Sequence, residues 1–275
     1  MKKAILLGVC VLFAYYLCSQ TPPDSGIYPP DMDKYHVLDS ADYKFVYEFT
    51  HVPDSTKINS TLKNQLVLLI GDNISRFYSA ECFRADPSAK VNKTRDTPIK
   101  MLPGHGLNAT EVFKNKKTGK QTVTTRLSGT NDIYSYQEDI PKLKWTITNQ
   151  TATILSYPCT KAYTTFRGRT YEAWFTTSIP INNGPWKLGG LPGLILKASD
   201  SRNFFTFNCI GIEKLKTKEP IVKYDAKYVA SSRKDVNKLV RNLHVHPVQT
   251  YEGFGLTYIG DKPIPAKPYN PLERD

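Results

Sequence analysis

The sequence predicts a mainly β protein of the α+β kind, built on a curved antiparallel meander sheet that could close as far as a half-barrel, with one or two short helices. Its 275 residues are 40% hydrophobic, which fits one globular unit rather than a fibre or a multispan membrane protein. Aromatic residues are abundant, with 17 Tyr, 12 Phe and 3 Trp. Such residues favour strands, and the 19 Pro and 16 Gly favour frequent turns over long helices.

The N-terminal segment reads as a secretory signal. Lys2 and Lys3 precede an apolar run over residues 4–14 that is short for a bilayer span, and polar residues follow it. We predict a signal peptide over 1–20, cut near Ser19 or Gln20, a Pro-rich leader over 21–35, a single domain over 36–260 and a Pro-rich tail over 261–275. A retained anchor helix and lipid attachment at Cys18 are the alternatives.

Export sets the expected location and partners. The chain would lie in the periplasm or against the outer membrane, with no transmembrane span once the signal is removed. Its formal charge is +12, but the basic residues occur in short separate pieces such as 114–120 and 214–218. We interpret these pieces as solvated turns, with attraction to acidic glycans or lipid headgroups as the alternative, and we expect no nucleic-acid partner.

The first half of the domain reads as strands and loops. Tyr43, Phe45, Tyr47 and Phe49 alternate with more polar residues, which is the period of a strand. Residues 66–70 predict a second, more buried strand. After it we predict a short helix entered at Asn73 or Ser75, and then a loop over 86–108.

The middle of the chain predicts a hairpin and three short strands. The hairpin is formed by residues 112–113 and 123–125 around a Lys-rich turn at 117–120. The strands span 132–137, 144–148 and 152–155. Further on, the 3, 4, 7 spacing of apolar residues over 232–243 predicts a helix capped by Ser231 or Ser232.

Residues 157–200 predict a meander interrupted by a shaped loop. Strands 160–166 and 170–176 are joined tightly at 167–169, and a further strand over 194–199 turns back into 204–212. Tyr171, Ala173 and Phe175 share one face, while Glu172, Trp174 and Thr176 share the other. In the loop between strands 170–176 and 194–199, Pro192 and Gly193 suit the two central positions of a type II turn. Such a turn would place Gly193 at positive φ.

The same block resembles the GLPGLI family, named after the hexapeptide that stands here at 190–195. Its other elements occur in the family's order: Cys-x-Lys-Ala at 159–162, Phe-x-Gly-Arg at 166–169, Ala-Trp-Phe-Thr at 173–176, Ile-Pro-Ile at 179–181 and Gly-Pro-Trp-Lys at 184–187. The resemblance extends over about 66–213 and departs at Leu188-Gly189. It implies an exported protein of Bacteroidota without an assigned reaction, and it carries over no catalytic residues.

Three cysteines remain after signal removal. Cys159 and Cys209 fall on the first and fourth strands of the predicted meander, about 14 Å apart and too far for a disulfide. A disulfide would then require Cys82. Cys159 could instead pair with a distant His as a nucleophile, although a buried strand cysteine is the commoner arrangement.

No motif for a nucleophile, metal or phosphate site is present, so we predict no catalytic residues, no metal site and no cofactor. His244 and His246 make half a metal site if extended, and an exposed pair at a helix end otherwise. The polar side chains of residues 157–200, including Glu172, could converge in a cleft as a binding site. The alternative, which we favour, is that they satisfy the backbone of the loop and pair with one another. The residues that we predict to bind a ligand are Lys161, Arg169, Trp174, Thr176, Trp186, Lys187 and Asp200. The residues that we predict to form a structural motif are Gly190, Pro192 and Gly193.

Two function classes follow. The first is a binding or assembly protein whose concave side, lined by Trp174 and Trp186, accepts an apolar ligand or an envelope protein segment. The second is a hydrolase acting on envelope peptides or glycans. The first is favoured because the sequence names no activated nucleophile and no carboxylate pair.

Overall fold

The computed structural model describes residues 34–79, 110–127, 132–255, 266 and 268–274. The strands in chain order are β1 (Tyr35–His51), β2 (Leu62–Gly71), β3 (Ile74–Ser79), β4 (Thr110–Asn115), β5 (Lys120–Arg126), β6 (Ile133–Asp139), β7 (Thr146–Ile154), β8 (Tyr157–Phe166), β9 (Arg169–Thr176), β10 (Leu194–Asp200), β11 (Phe205–Tyr224) and β12 (Tyr228–Ala230). Two helices follow, α1 (Arg233–Val245) and α2 (Pro247–Gly253). The predicted mainly β class with two short helices is confirmed.

All twelve strands belong to one open sheet in the order β12-β6-β5-β4-β3-β2-β1-β11-β10-β9-β8-β7. Two antiparallel meanders make up this order, one running from β1 out to β6 and the other from β11 out to β7. The long strands β1 and β11 pair with each other and join the meanders. Strand β12 adds to β6 in parallel at one edge.

The sheet is strongly curved. Arg167, in the turn between β8 and β9, lies 3.2 Å from Glu138 of β6. Eight strand spacings separate β6 from β9, so in a flat sheet these strands would lie about 38 Å apart. The contact therefore requires the two ends of the sheet to approach each other, which confirms the predicted curvature.

The larger of two buried apolar clusters fills the inside of this curve. The alternation in β1 turns Phe45, Tyr47 and Phe49 inward, as predicted. The β9–β10 loop (residues 177–193) packs against this inner face, with Trp186 and Leu188 almost completely buried. The loop therefore fills the interior of the sheet rather than projecting from its edge.

The helix predicted at Asn73 or Ser75 is wrong, because β3 begins at Ile74. Asp72 and Asn73 form the two-residue connection of the β2–β3 hairpin. The backbone N–H groups of Asn73 and Ile74 both donate to Asp39 Oδ2, at 2.7 and 2.8 Å. A carboxylate from β1 thus satisfies the donors that the sequence attributed to a helix start.

Two strand boundaries are also corrected. The strands predicted at 144–148 and 152–155 are one strand, β7, with a register shift between Ile147 and Thr151. The turn predicted at 214–218 lies inside β11, which continues to Tyr224 instead of ending near 212. Strand β1 is 17 residues long and provides a partner along this extension.

Several other described elements agree with the sequence, whereas β12 and α2 were not predicted at their positions. The β4–β5 hairpin, the β8–β9 hairpin and the strand at 194–199 are present in the predicted pairing. Helix α1 has Ser232 as its N-cap, whose side chain accepts the N–H of Asp235. Four predictions lie outside the described residues: the signal peptide, the leader up to residue 33, the role of Cys82 and the loop at 86–108.

The type II turn at Pro192 and Gly193 is wrong, since Gly193 is not at positive φ. The glycine of this motif with positive φ is Gly190, at 91°. Gly193 is instead constrained by close approach, because a Cβ there would lie 2.0 Å from the carbonyl oxygen of Thr176. The position therefore excludes every side chain.

The predicted strand order β8-β9-β10-β11 is confirmed. Cys159 and Cys209 are both buried and free. Burial raises the pKa of the Cys209 thiol to about 11, and Cys159 adds to the rise. In the part of the chain that the structure describes, no helix has the length and apolar character needed to cross a bilayer.

Candidate functional site

A pocket lies between the inner face of the sheet, helix α1 and residues 268–274, which we call the strap. Its cavity measures about 140 Å³. The walls are mostly apolar, with Phe49 and Val123 from the sheet, Trp186 from the β9–β10 loop, Val240 from α1 and Leu272 from the strap. Four parts of the chain, the sheet, the β9–β10 loop, α1 and the strap, therefore border one partly open space.

Lys187 forms the charged end of this pocket. Its side chain is 1% exposed, and Nζ lies 2.7 Å from Glu138, 3.0 Å from Tyr136 Oη and in contact with Glu273 of the strap. Burial alone would lower the pKa of Lys187, but the charge of Glu273, with Tyr136 and Glu138, outweighs it, and the pKa is raised. Lys187 is therefore held as a buried ammonium group.

Two arginines extend the network. Arg233 of α1 lies 3.3 Å from Glu273, and Arg167 lies 3.2 Å from Glu138. The cluster thus joins three cations to two carboxylates. This cluster connects α1, the end of the sheet, the β9–β10 loop and the strap. Of its five charged side chains, Glu273 alone belongs to the strap.

A second buried ion pair holds the middle of the strap. Arg169 donates to Asp200 Oδ2 at 2.8 Å, and both side chains are 2% exposed. The same guanidinium donates to the backbone oxygen of Pro271 at 2.9 Å and to Asn270 Oδ1 at 2.7 Å. Asp200 thereby orients a donor that reaches the backbone of the strap.

Two polar atoms in the pocket have no hydrogen-bond partner among the described residues, His51 Nδ1 and Asn237 Nδ2. The His51 ring stacks on Phe49 with centroids 5.0 Å apart. Burial lowers the pKa of His51 to about 4, so the ring is neutral near pH 7. The pocket therefore offers unsatisfied but uncharged polar groups to an occupant.

The predicted binding residues fall into two groups. Trp186, Lys187, Arg169 and Asp200 gather at the pocket and beneath the strap. Thr176 is buried at the end of β9, where its hydroxyl accepts the N–H of Ser178, and it lies in the framework of the loop.

Lys161 and Trp174 lie on the outer face with Glu172. Lys161 Nζ lies 2.8 Å from Glu172 and 5.3 Å from the centre of the Trp174 ring. Trp186 instead packs on Tyr171, which faces inward. The expectation that Trp174 and Trp186 line one concave surface is therefore wrong, since alternation along β9 puts Trp174 on the opposite face.

The sequence did not identify the partners of Lys187. Tyr136 lies in the strand predicted at 132–137, but Glu138 lies one residue beyond its predicted end, so their shared face became evident only with the longer β6. Glu273 had no signal of strand alternation, because it lies in a Pro-rich segment interpreted as a tail. His51 likewise ends an alternating strand without any motif.

The candidate nucleophile and metal ligands do not form sites. Burial raises the pKa of Cys159, which disfavours the thiolate. His244 Nδ1 is 2.8 Å from the Val240 carbonyl oxygen, and His246 is exposed at the end of α1. Among the described residues no group of His, Cys, Asp and Glu is arranged to hold a metal ion.

Comparisons with known proteins point to one kind of relative. Residues 104–239, just under half of the chain, match the sequence family described as N-glycanase peptide, N-terminal domain. Two solved structures of PNGF-II, in space groups P21 and C2, have TM-scores of 0.49 and 0.48 at 16% and 15% identity. They cover 74% and 72% of this chain, which spans 33% and 32% of theirs. No curated protein matches the sequence.

The family likeness describes a domain and not a whole enzyme. It spans β4 to β11 and the start of α1, and so includes the β9–β10 loop and Lys187. The strap lies beyond the matched residues. This likeness is compatible with an exported protein.

Proposed function

We propose that this chain is an exported, non-catalytic binding protein of the bacterial envelope that holds one apolar group of a protein segment in the inner pocket. The observation that carries the proposal is the mostly apolar, partly open pocket, which is lined by His51 and Asn237 with their unpartnered polar atoms. Ligand sites commonly combine an apolar wall with a few placed polar groups.

The size of the cavity favours a protein segment over a larger ligand. An engineered apolar cavity of about 150 Å³ binds benzene, so a space of this order holds one ring or one branched side chain. A lipid or an oligosaccharide would need several times that volume. A side chain inserted from an extended segment fits the space.

The groups beside the cavity suit a peptide backbone. Arg169 and Tyr171 already donate to backbone oxygens of the strap, at Pro271 and Leu272. Such donors recognise any extended chain regardless of its side chains, and a neighbouring pocket then supplies selectivity.

Location and family are part of the same proposal. The Lys2-Lys3 start and the apolar run support export, and the hexapeptide at 190–195 supports membership of the GLPGLI family. A periplasmic or outer-membrane position would place the pocket among envelope proteins. N-terminal sequencing of the mature protein tests this step, and an intact Met1 would contradict it.

A small aromatic probe tests the pocket directly. Benzene should raise the melting temperature of the wild-type protein, because it binds the folded state alone. Val240→Phe should fill the cavity and remove the effect. Leu239→Phe is the matched control, since Leu239 lies on the same helix but borders a different surface hollow, and it should respond as wild type does. Equal responses from both variants would refute the proposal.

Glycan hydrolysis is the second candidate, favoured by the likeness to an N-glycanase domain. Glu138 and Glu273 are two carboxylates at one site, as such chemistry requires. Both are already held as counterions by Lys187 and the arginines, so neither is placed to donate a proton to a substrate. Release of glycans from a glycoprotein by the wild-type chain, lost in Glu138→Gln, would establish this function instead.

A further inference from the structure

We infer that the strap occupies a groove that takes an extended acidic peptide of a partner protein, so that binding requires the strap to be displaced. This inference rests on the proposed function and names the chemistry of its partner. It comes from three features of the strap: its backbone contacts, the charge it neutralises and the space it leaves unfilled.

Some contacts of the strap involve its backbone. Arg169 and Tyr171 donate to its carbonyl oxygens, and the N–H of Arg274 donates to the carbonyl oxygen of Arg167 at 2.9 Å. Backbone recognition is independent of side chains, so another extended peptide could make the same bonds. The other hydrogen bonds of the strap come from the side chains of Tyr269, Asn270 and Glu273, and a replacement peptide keeps them only if it carries similar side chains.

One side chain of the strap carries charge specificity. Glu273 is 7% exposed and bonds to Lys187 and Arg233. Without it, Lys187 and Arg233 would each lose a carboxylate that they contact in the fold. Because removing a carboxylate partner from a buried cation is costly, any replacement for the strap must bring a carboxylate to this point.

The residue before it carries apolar specificity. Leu272 packs against the main core and lines the pocket. It leaves a cavity of about 140 Å³ and an unpartnered His51 Nδ1 beneath the strap. A peptide with a larger side chain at this position would fill space that the strap leaves empty. The partner sequence we expect is thus a large apolar residue followed by Asp or Glu.

The strap also has the advantage of being attached to the chain. An attached segment acts at a high effective concentration, so it competes strongly with a separate peptide of equal contacts. The groove should therefore bind a partner weakly until the strap is loosened. Loosening is achieved by removing Glu273, which leaves the cations of the groove in place.

A labelled peptide with the sequence of residues 268–274 tests the inference by fluorescence anisotropy. The full-length Glu273→Ala variant should bind it about tenfold or more tightly than wild type. Glu172→Ala, which removes a lysine-paired carboxylate on the outer face, should bind it as wild type does. A peptide with Gln in place of its Glu should bind Glu273→Ala about tenfold more weakly.

Equal affinity of wild type and Glu273→Ala for the peptide of residues 268–274 would overturn the inference. If benzene still stabilises the protein in that case, the pocket stands and only the strap competition fails. If neither probe binds, the proposed function fails as well.

If Glu273→Ala does not fold, hydrogen exchange of the wild-type chain tests whether the strap is displaced. Excess peptide of residues 268–274 should speed exchange at the backbone amide of Arg274, which donates to Arg167 within the protein. Unchanged exchange there would contradict the inference.

Discussion

Lys187 and Lys114 attach the same loop to the same face of the sheet by opposite means. Lys187 reaches from the β9–β10 loop to Glu138 on β6 and to Glu273. Lys114 reaches from β4 to the loop, where it donates to Leu188 O at 2.7 Å and Asn183 Oδ1 at 3.0 Å. Both side chains are buried, but only Lys187 has carboxylate partners among the described residues.

The electrostatic consequences differ in sign. The pKa of Lys187 is raised because its carboxylates outweigh the cost of burial. Burial lowers the pKa of Lys114 to about 7, since neutral oxygens do not compensate it. The Lys187 end of the loop is thus a charged network that also includes the strap, whereas the Lys114 end is a structural attachment that prefers a neutral amine. Under the proposed function we expect binding at the Lys187 end, because only that end contacts the strap.

The largest effect should come from the loop that both lysines hold. Gly193→Ala places a Cβ 2.0 Å from the backbone oxygen of Thr176, so we expect a loss above about 4 kcal/mol or no folded protein. Gly193→Asn should be no milder, because left-handed φ is not what the position requires. Gly189→Ala is the control, since the nearest non-adjacent atom to a Cβ there, Asn182 Oδ1, lies 3.8 Å away. Urea unfolding measures the stability of each of the three variants. A Gly193→Ala protein as stable as Gly189→Ala would contradict the close approach of Gly193 to the Thr176 backbone.

Lys187→Met should cause the second-largest loss of stability. It leaves Glu138 and Glu273 buried with weaker compensation, and breaking a buried pair in this way costs about 3–5 kcal/mol. The free energy of unfolding from urea titration gives the value. A stability unchanged from wild type would show that Arg167 and Arg233 alone neutralise the two carboxylates.

The third prediction concerns pH and Lys114. Between its folded pKa of about 7 and its ordinary value of 10.5, the unfolded chain binds the proton that the folded chain does not. The free energy of unfolding should therefore rise with pH above 7, by roughly 2–3 kcal/mol between about pH 7.5 and 9.5. Below pH 7 the folded chain carries the buried ammonium charge of Lys114, so its stability should be lower there than at pH 9.5. Lys114→Met should lose this part of the slope. A slope equal to that of wild type would show that Lys114 is charged in the fold.

The sequence was sufficient wherever local pattern determines structure. The alternation in β1, the apolar run of β2, the β4–β5 hairpin and the Ser232 cap were all predicted from neighbouring residues. The predicted curvature was also correct. The loop at 190–195 was recognised as structural, but for the wrong reason at Gly193, because its close approach to Thr176 arises only once β9 and β10 are paired.

The candidate site depended on contacts that sequence spacing does not contain. Glu273 meets Lys187 across 86 residues, and Arg169 meets Pro271 across 102. Trp174 and Trp186 were grouped because they are close in the chain, although strand alternation and the reversal of the loop place them on opposite faces. The helix predicted at Asn73 failed for a similar reason, since the carboxylate that satisfies its backbone comes from Asp39 on another strand.

The smallest effect should come from the outer face, which sharpens the comparison by repeating its chemistry with less burial. Lys161, like Lys187, pairs with a carboxylate and lies over aromatic rings, here those of Trp174 and Tyr163. The side chains of Lys161 and Glu172 are 14% and 30% exposed, so solvent stabilises their charges more than it does that of Lys187, which is 1% exposed. Lys161→Met should therefore change the urea midpoint less than Lys187→Met does, and it should leave binding of the strap peptide unchanged. A loss of stability comparable to that of Lys187→Met would mean that the outer cluster is as important to the fold as the inner one, and burial would then not be what distinguishes them.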